Sequence, residues 1–238
     1  MVIKYNAEVT EIRKTDSGVR VVWKDRKRNH ATAVSEASYV ICTIPLSVLR
    51  NIDTNLSPEI RAAIAAPQYM PAGKLAFQAE RRFWELDHQI YGGISWINRD
   101  IRQIWYPSAG FHQKKGILVG AYIWDHDSGK RFAAKSPEQR IKDALDDGER
   151  LHKNYAAPLG SGITVAWSKI PFSAGAWADW DWDNSTHQQS YQTLLKGDGP
   201  VLFCGEHMSN LKAWQEGAVQ SAFYVIGQLA TRVREKKA

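Results

Sequence analysis

The stretch CGEHMSNLKAWQEGAV (204–219) holds the residues best able to do chemistry. Glu206 follows Gly205 directly after the apolar run Pro200-Val201-Leu202-Phe203, and a polar bend then leads to Trp214 and a long helical pattern. A strand end, a glycine, a carboxylate and a helix mouth form a layout that suits a nucleotide or a flavin. Free backbone N–H groups at a helix N-terminus stabilise negative charge. A helix opening near Trp214 could stabilise the charge that a flavin gains at its N1–C2=O edge on reduction. Glu206 could accept hydrogen bonds from sugar or ribityl hydroxyls; it and Ser209 could equally cap the turn. The G-x-G-x-x-G fingerprint that seats a pyrophosphate is missing: GSGITV (160–165) has two of its glycines but Val165 in place of the third.

The elements that must position these residues fall into two textures. NAEVTEIRKT (6–15) and GVRVVWKD (18–25) read as strands joined by the hairpin signal Asp16-Ser17-Gly18. EASYVICTIP (36–45) reads as a third strand, apolar enough to be buried on both faces and stopped by Pro45. SPEIRAAIAA (57–66) and SPEQRIKDALDDGERLHKN (136–154) each open with a serine cap and a proline at the first helical position, and Gln139 completes a capping-box pattern in the second. Between them lie the strand-like runs GKLAFQAERRFW, RQIWYP and GILVGAYIW. The end returns to the first texture: GPVLFCG is a short buried strand, and Ala218, Ala222, Val225, Leu229 and Val233 recur at helical spacing. The fold class expected is α+β, with a domain at 46–190 inserted between pieces 1–45 and 191–238.

Composition narrows the function classes. The 238 residues are 44% hydrophobic and 24% charged, values of an ordinary globular protein, with no apolar run long enough to span a membrane. The start MVIKYNAEV shows no signal peptide, so the default expectation is cytoplasmic. The net charge of +6 is scattered apart from KDRKRNH (24–30), expected as a hairpin tip, and the tail RVREKKA (232–238), expected as a helix end. No basic face with interleaved aromatics points to nucleic acid. Cys42 and Cys204 sit in apolar runs as buried free thiols, and the histidines show no paired metal spacing, so no metal is expected.

FCGEHMSNLKAWQEGAVQSA (203–222) resembles the C-terminal flavin-binding motif of the flavin-containing amine oxidases, which runs Phe-x-Gly-Glu and then aromatic-x-Glu-Gly-Ala. Other segments agree in order. VTEI (9–12) resembles the family's adenine-side strand, VICTIPLSVL (40–49) the strand leaving the FAD domain, and AGAWADW (174–180) the segment that approaches the flavin ring. GKLAFQAERRFWE (73–85) carries Lys74 ten residues before Trp84, as the family's lysine precedes its Phe-Trp pair. GAYIWDHDSGKRF (120–132) and HMSNLKAWQEGAV (207–219) are most similar to the bacterial L-amino acid oxidase branch.

The resemblance implies the following roles. Lys74 holds a water near flavin N5, and Trp177 and Trp214 form an aromatic cage that steers the amine and Cα–H. Val9 meets the adenine through its backbone, while Gly205, Glu206, Gln215 and Ala218 line the flavin with Trp214. Ala176 stands where monoamine oxidases carry the cysteine bonded to flavin, so FAD would be held non-covalently. The activity implied is oxidative deamination of an L-amino acid by O2, giving a 2-oxo acid, ammonia and hydrogen peroxide. Monoamine or polyamine oxidase activity, an amide-forming monooxygenase, and a non-catalytic fragment are the other readings. The family's front half, with its phosphate seat and its carboxylate-clamping arginine, has no match here. That implies a second chain carrying the Rossmann half, or a homo-oligomer. Trp96, Trp105, Tyr106, Trp124 and Trp167 are compatible with a bulky side-chain pocket, though most are expected in the core. Asp125, Asp127 and Asp179 are weak candidates for recognising a basic side chain.

Overall fold

A computed structural model describes residues 3–236 of the chain. The chain divides into two compact units, Met1–Tyr69 with Trp177–Ala238, and Met70–Ala176. The dividing points differ from the expected 45/46 and 190/191. The helix Pro58–Ala65 packs against the helix Ser185–Lys196. Ile60, Ala63 and Ile64 of the first and Tyr191 and Leu194 of the second share one core with Ile12, Cys42 and Phe203. Residues 46–69 and 177–190 therefore belong with the unit built from the two chain ends.

In that unit the hairpin strands Ala7–Thr15 and Gly18–Asp25 pair antiparallel as the turn signal predicts. Gly18 sits at φ 156°, and a Cβ there would lie 2.2 Å from the carbonyl of Ala37, so only glycine fits. The basic run forms the tip of a second hairpin, Gly18–Asp25 with Ala31–Ala37. The expected third strand over 36–45 is instead divided. Glu36 and Ala37 end the strand Ala31–Ala37, and Val40–Cys42 pairs in parallel with Val201–Phe203 in a separate two-stranded ribbon. The strand-like run is continuous in sequence, but the chain leaves one sheet at Ser38-Tyr39 and enters another. The C-terminal helix Gln215–Glu235 covers this ribbon, with Val225 buried and Ala222 and Leu229 packed on Leu202, Cys204 and Ile41. Cys42 and Cys204 are both free and buried, and burial pushes the Cys42 thiol up to about 11.

The second unit is a five-stranded sheet in the order Leu159–Ala166, Gly73–Ala79, Gly116–Ile123, Gln103–Trp105, Ile94–Trp96, with antiparallel neighbours throughout. Strand alternation sends Leu75, Phe77 and Ala79 into a core with Trp84, Leu118, Ile123 and Tyr155. Each such fully buried large side chain contributes roughly 1.5–3 kcal/mol. The helix Pro137–Gly148 packs on this sheet and ends at Gly148, short of the expected 154. Tyr155 closes on that glycine: a Cβ at Gly148 would stand 2.2 Å from its ring. Ser136 caps the helix by accepting the Gln139 N–H, but the Gln139 side chain donates to Asp143, so the capping box is half formed. The pair Gly160 and Gly162 lies inside the strand Leu159–Ala166 and forms no strand-turn-helix phosphate loop.

Candidate flavin site

The strand Val201–Phe203 delivers the chain to Gly205, which adopts φ 140° and donates its N–H to Ser221 Oγ at 3.0 Å. A Cβ at Gly205 would meet the His207 ring at 2.5 Å. The turn Glu206–Met208 follows, and its carbonyl at Glu206 accepts from Ser209 Oγ at 3.0 Å. The Glu206 carboxylate is half-buried and already employed. Oε1 accepts the Ala178 N–H at 3.2 Å and Oε2 accepts the Ala213 N–H at 3.1 Å. Burial raises its pKa, while these two amides and the Lys212 ammonium pull the other way.

The helix opens at Trp214, and no side chain caps its first turn. Trp214 is 71% exposed. Gln215 begins the helix and is also exposed, and Ala218 is half-buried. Gly217 permits the helix to approach the preceding loop, since a Cβ there would lie 2.3 Å from both Leu211 O and Ser209 Oγ. Trp177 is half-buried and precedes the strand Ala178–Asp179, which pairs with Gln68–Tyr69. The end unit therefore ties the segments bearing Trp177 and Trp214 to one carboxylate. Trp180 is different: it is buried, and its Nε1–H donates to the His207 carbonyl at 2.8 Å.

Val9 lies in the same unit, at a bulge between Val9 and Glu11. Its parallel neighbour Asp53–Thr54 reaches only Glu11 and Ile12, so the Val9 end of that edge has no ladder partner among the described residues. Such an edge leaves backbone groups available to a ligand.

Lys74 belongs to the second unit, where it is exposed on the sheet face opposite Leu75 and Phe77. Tyr122 stands across the ladder from it, and the ammonium lies 4.8 Å from the ring centroid. Trp105 continues this aromatic floor, its ring 5.1 Å from that of Tyr122. Of the five aromatic residues weighed for a pocket, only Tyr106 is core; Trp96, Trp105 and Trp124 are exposed and Trp167 is half-buried. Two of the candidate acids are neutralised locally. Asp125 caps the helix His126–Ala134 and pairs with Arg102, and Asp179 pairs with Lys212.

The sequence reading missed His207, Tyr122 and the role of Ser221, and named Ser209 only as a turn cap. The Ser at the motif's end was visible as a pattern position, but its bond to Gly205 was not. Tyr122 would have required knowing the register of two strands.

A model of the family described as flavin containing amine oxidoreductase matches residues 2–225. The chain belongs to that family. Its relatives include an L-amino-acid oxidase of Siganus canaliculatus, 32% identical over 92% of this chain and 42% of that protein. The flavin-dependent L-tryptophan oxidase RebO of Lentzea aerocolonigenes is 31% identical over 83% of this chain and 42% of its own length. Among solved structures, a putrescine oxidase variant superposes with a TM-score of 0.77 at 19% identity, over 95% of this chain and 49% of that one. That likeness establishes the fold, a mixed helix-and-sheet arrangement of the family. The chain thus spans less than half the length of the relatives it matches.

Membership implies a flavin, and the residues fit its ring end. The uncapped helix start offers free N–H groups, and Trp214 exposes a flat apolar face beside them. The glycine pair in the strand Leu159–Ala166 does not fit a pyrophosphate. No helix among the described residues is long and apolar enough to cross a membrane.

Proposed function

We propose that this chain forms part of an FAD-dependent oxidase that converts an L-amino acid to its 2-oxo acid, ammonia and hydrogen peroxide, with the flavin bound non-covalently. The observation that carries the reading is the pair of L-amino-acid-oxidising relatives above 30% identity, each matched over more than four fifths of this chain. It is supported by the loops bearing Trp177 and Trp214, tied together at the mouth of an uncapped helix.

Flavin, when bound, supplies the two-electron acceptor that O2 regenerates. The work of the chain is orientation and electrostatics. Trp177 and Trp214 would present flat walls that orient the neutral α-amino group and the Cα–H. The first amides of the helix, Gln215 among them, would stabilise negative charge, and the Val9 edge would meet the adenine. Lys74 would hold a water through its ammonium and favour charge development on oxygen. Oxidation of the Cα–N bond gives an imine, whose hydrolysis yields the 2-oxo acid and ammonia.

A second reading, in which FAD binds only when a partner chain completes the site, is favoured by one specific observation. The C-terminal helix leaves Val219, Phe223 and Ile226 exposed by 49%, 74% and 56%. They recur at helical spacing on its outer side, and such a stripe supports the reading that another piece would cover it.

The test is native mass spectrometry with an absorbance scan, followed by peroxide detection against L-amino acids and, separately, diamines. The expected result is a complex with flavin bands, oxidising an L-amino acid and releasing intact FAD on acid precipitation. K74M should slow oxygen consumption on the order of a hundredfold. A chain that takes up no FAD, alone or with a Rossmann-bearing partner, would end the catalytic reading. Oxidation of diamines alone would move it to the amine oxidases.

A further inference from the structure

We infer that Glu206 is a positioning residue: its carboxylate clamps the segments carrying Trp177 and Trp214 into one frame and so sets the spacing of that aromatic pair. The functional meaning of the spacing rests on the role proposed above for the two tryptophans. The clamp itself rests on geometry alone.

Each carboxylate oxygen takes one backbone amide. Ala178, one residue after Trp177, donates to Oε1, and Ala213, one residue before Trp214, donates to Oε2. The two amides lie 28 and 7 residues from Glu206 in sequence, so a single side chain joins segments that are otherwise remote. Ala213 is held at φ 66°, a left-handed conformation that disfavours any residue with a Cβ. Its own N–H is the group that Glu206 holds.

The ion pair of Lys212 with Asp179 spans the same gap, one residue further from each tryptophan. Its side chains are 44% and 35% exposed, and surface pairs of this kind contribute little. Neither indole Nε1 of Trp177 nor that of Trp214 has a hydrogen-bond partner among the described residues. Their placement therefore follows the backbone, which Glu206 helps to hold together with the pairing of Ala178–Asp179 on Gln68–Tyr69.

Only an ionised carboxylate offers two equivalent acceptors at this separation. Glutamine turns one of them into a donor facing an N–H, and aspartate is a methylene too short. The clamp is anchored from below, because Gly205 donates to Ser221 and the Glu206 carbonyl accepts from Ser209. Protonation of Glu206 weakens one of the two bonds. Burial, by raising its affinity for a proton, places that event above the ordinary glutamate range.

The test is amide hydrogen exchange, read residue by residue by NMR on the full chain without flavin. E206A should lower protection at Ala178 and Ala213 together by about tenfold or more, the effect of losing one hydrogen bond at each. Amides of the strand Val201–Phe203 should keep theirs, and K212M should leave both clamp amides within about threefold of the wild type. A smaller loss at either amide in E206A overturns the clamp. So does a K212M variant that reproduces the loss. If E206A does not fold, the wild type is titrated instead. Protection at both amides should then follow the same midpoint as the Glu206 carboxyl carbon shift, and separate midpoints overturn the inference. Flavin uptake plays no part in this readout, so failure of the oxidase reading leaves it standing and is recognised separately.

Discussion

Two glycines of the C-terminal helix should respond to the same substitution with opposite signs. Exchanging glycine for alanine inside a helix gains about 1 kcal/mol of intrinsic propensity. At Gly227 nothing lies within 4 Å of the added Cβ, so G227A should stabilise by about that amount. At Gly217 the added Cβ would sit 2.3 Å from the Leu211 carbonyl oxygen and from Ser209 Oγ, against an ordinary contact of 3.4–4 Å. The obstacle is backbone, and its loop is held by the Ser209 hydroxyl, which accepts the Leu211 N–H and donates to the Glu206 carbonyl. Overpacking of this kind costs typically 1–3 kcal/mol, and a fixed backbone places it at the upper end. After the propensity gain, G217A should be destabilised by about 2 kcal/mol, some 3 kcal/mol below G227A. At about 2–4 °C per kcal/mol for a chain of this length, the two variants should melt about 6–12 °C apart, with the wild type between them. Circular dichroism melts of the three proteins read this directly. If G217A melts with or above the wild type, the loop is free to yield and the close approach of helix to loop is not what requires glycine.

The other perturbations test single contacts. Arg82 and Glu85 are both buried, with Arg82 Nε donating to Glu85 Oε1 at 2.6 Å and its other nitrogens to the carbonyls of Ala109 and Pro107, so E85Q should cost about 3–5 kcal/mol in a urea titration. The hydrogen bond from Arg82 holds the Glu85 carboxyl below its usual range; this contribution is therefore present at neutral pH and lost as pH falls through the depressed value. S136A should lose about 1 kcal/mol with the cap of the helix Pro137–Gly148, and an unchanged melting curve would remove that cap from the account. Burial pushes the His207 imidazole down to about 4, and its Nε2 has no hydrogen-bond partner. Neutral His207 should thus favour the fold above about pH 6.5, and stability should fall by about 3 kcal/mol as pH drops toward 4. H207Q should flatten that slope, and equal slopes in the two proteins would refute the assignment.

The sequence was legible where the determining interactions are local. Serine caps, the Asp16-Ser17-Gly18 hairpin and the helix start at Trp214 depend on a few consecutive residues, and all appear where the residue types place them. It was illegible where the chain changes partners. The run 36–45 reads as one strand, yet its two ends enter different sheets, and periodicity has no term for that choice. Glu206 shows the same limit: the turn and the acid could be read, but its two amides arrive from positions 178 and 213.

The C-terminal helix makes the point physically. Ala218, Ala222, Val225 and Leu229 recur at helical spacing, but so do Val219, Phe223 and Ile226, and the second set is the more hydrophobic. Hydrophobicity alone would bury the larger side chains. The structure buries Gly217, Ser221 and Val225 instead, because the helix lies close to a ribbon of only two strands and Ser221 must reach the Gly205 amide at its end. Close approach selects small side chains and a hydroxyl at the inner face. The large apolar ones are left outside, at 49–74% exposure. The rule that seats the carboxylate and the helix mouth is thus the same rule that leaves the larger apolar side chains on the outer face of the helix.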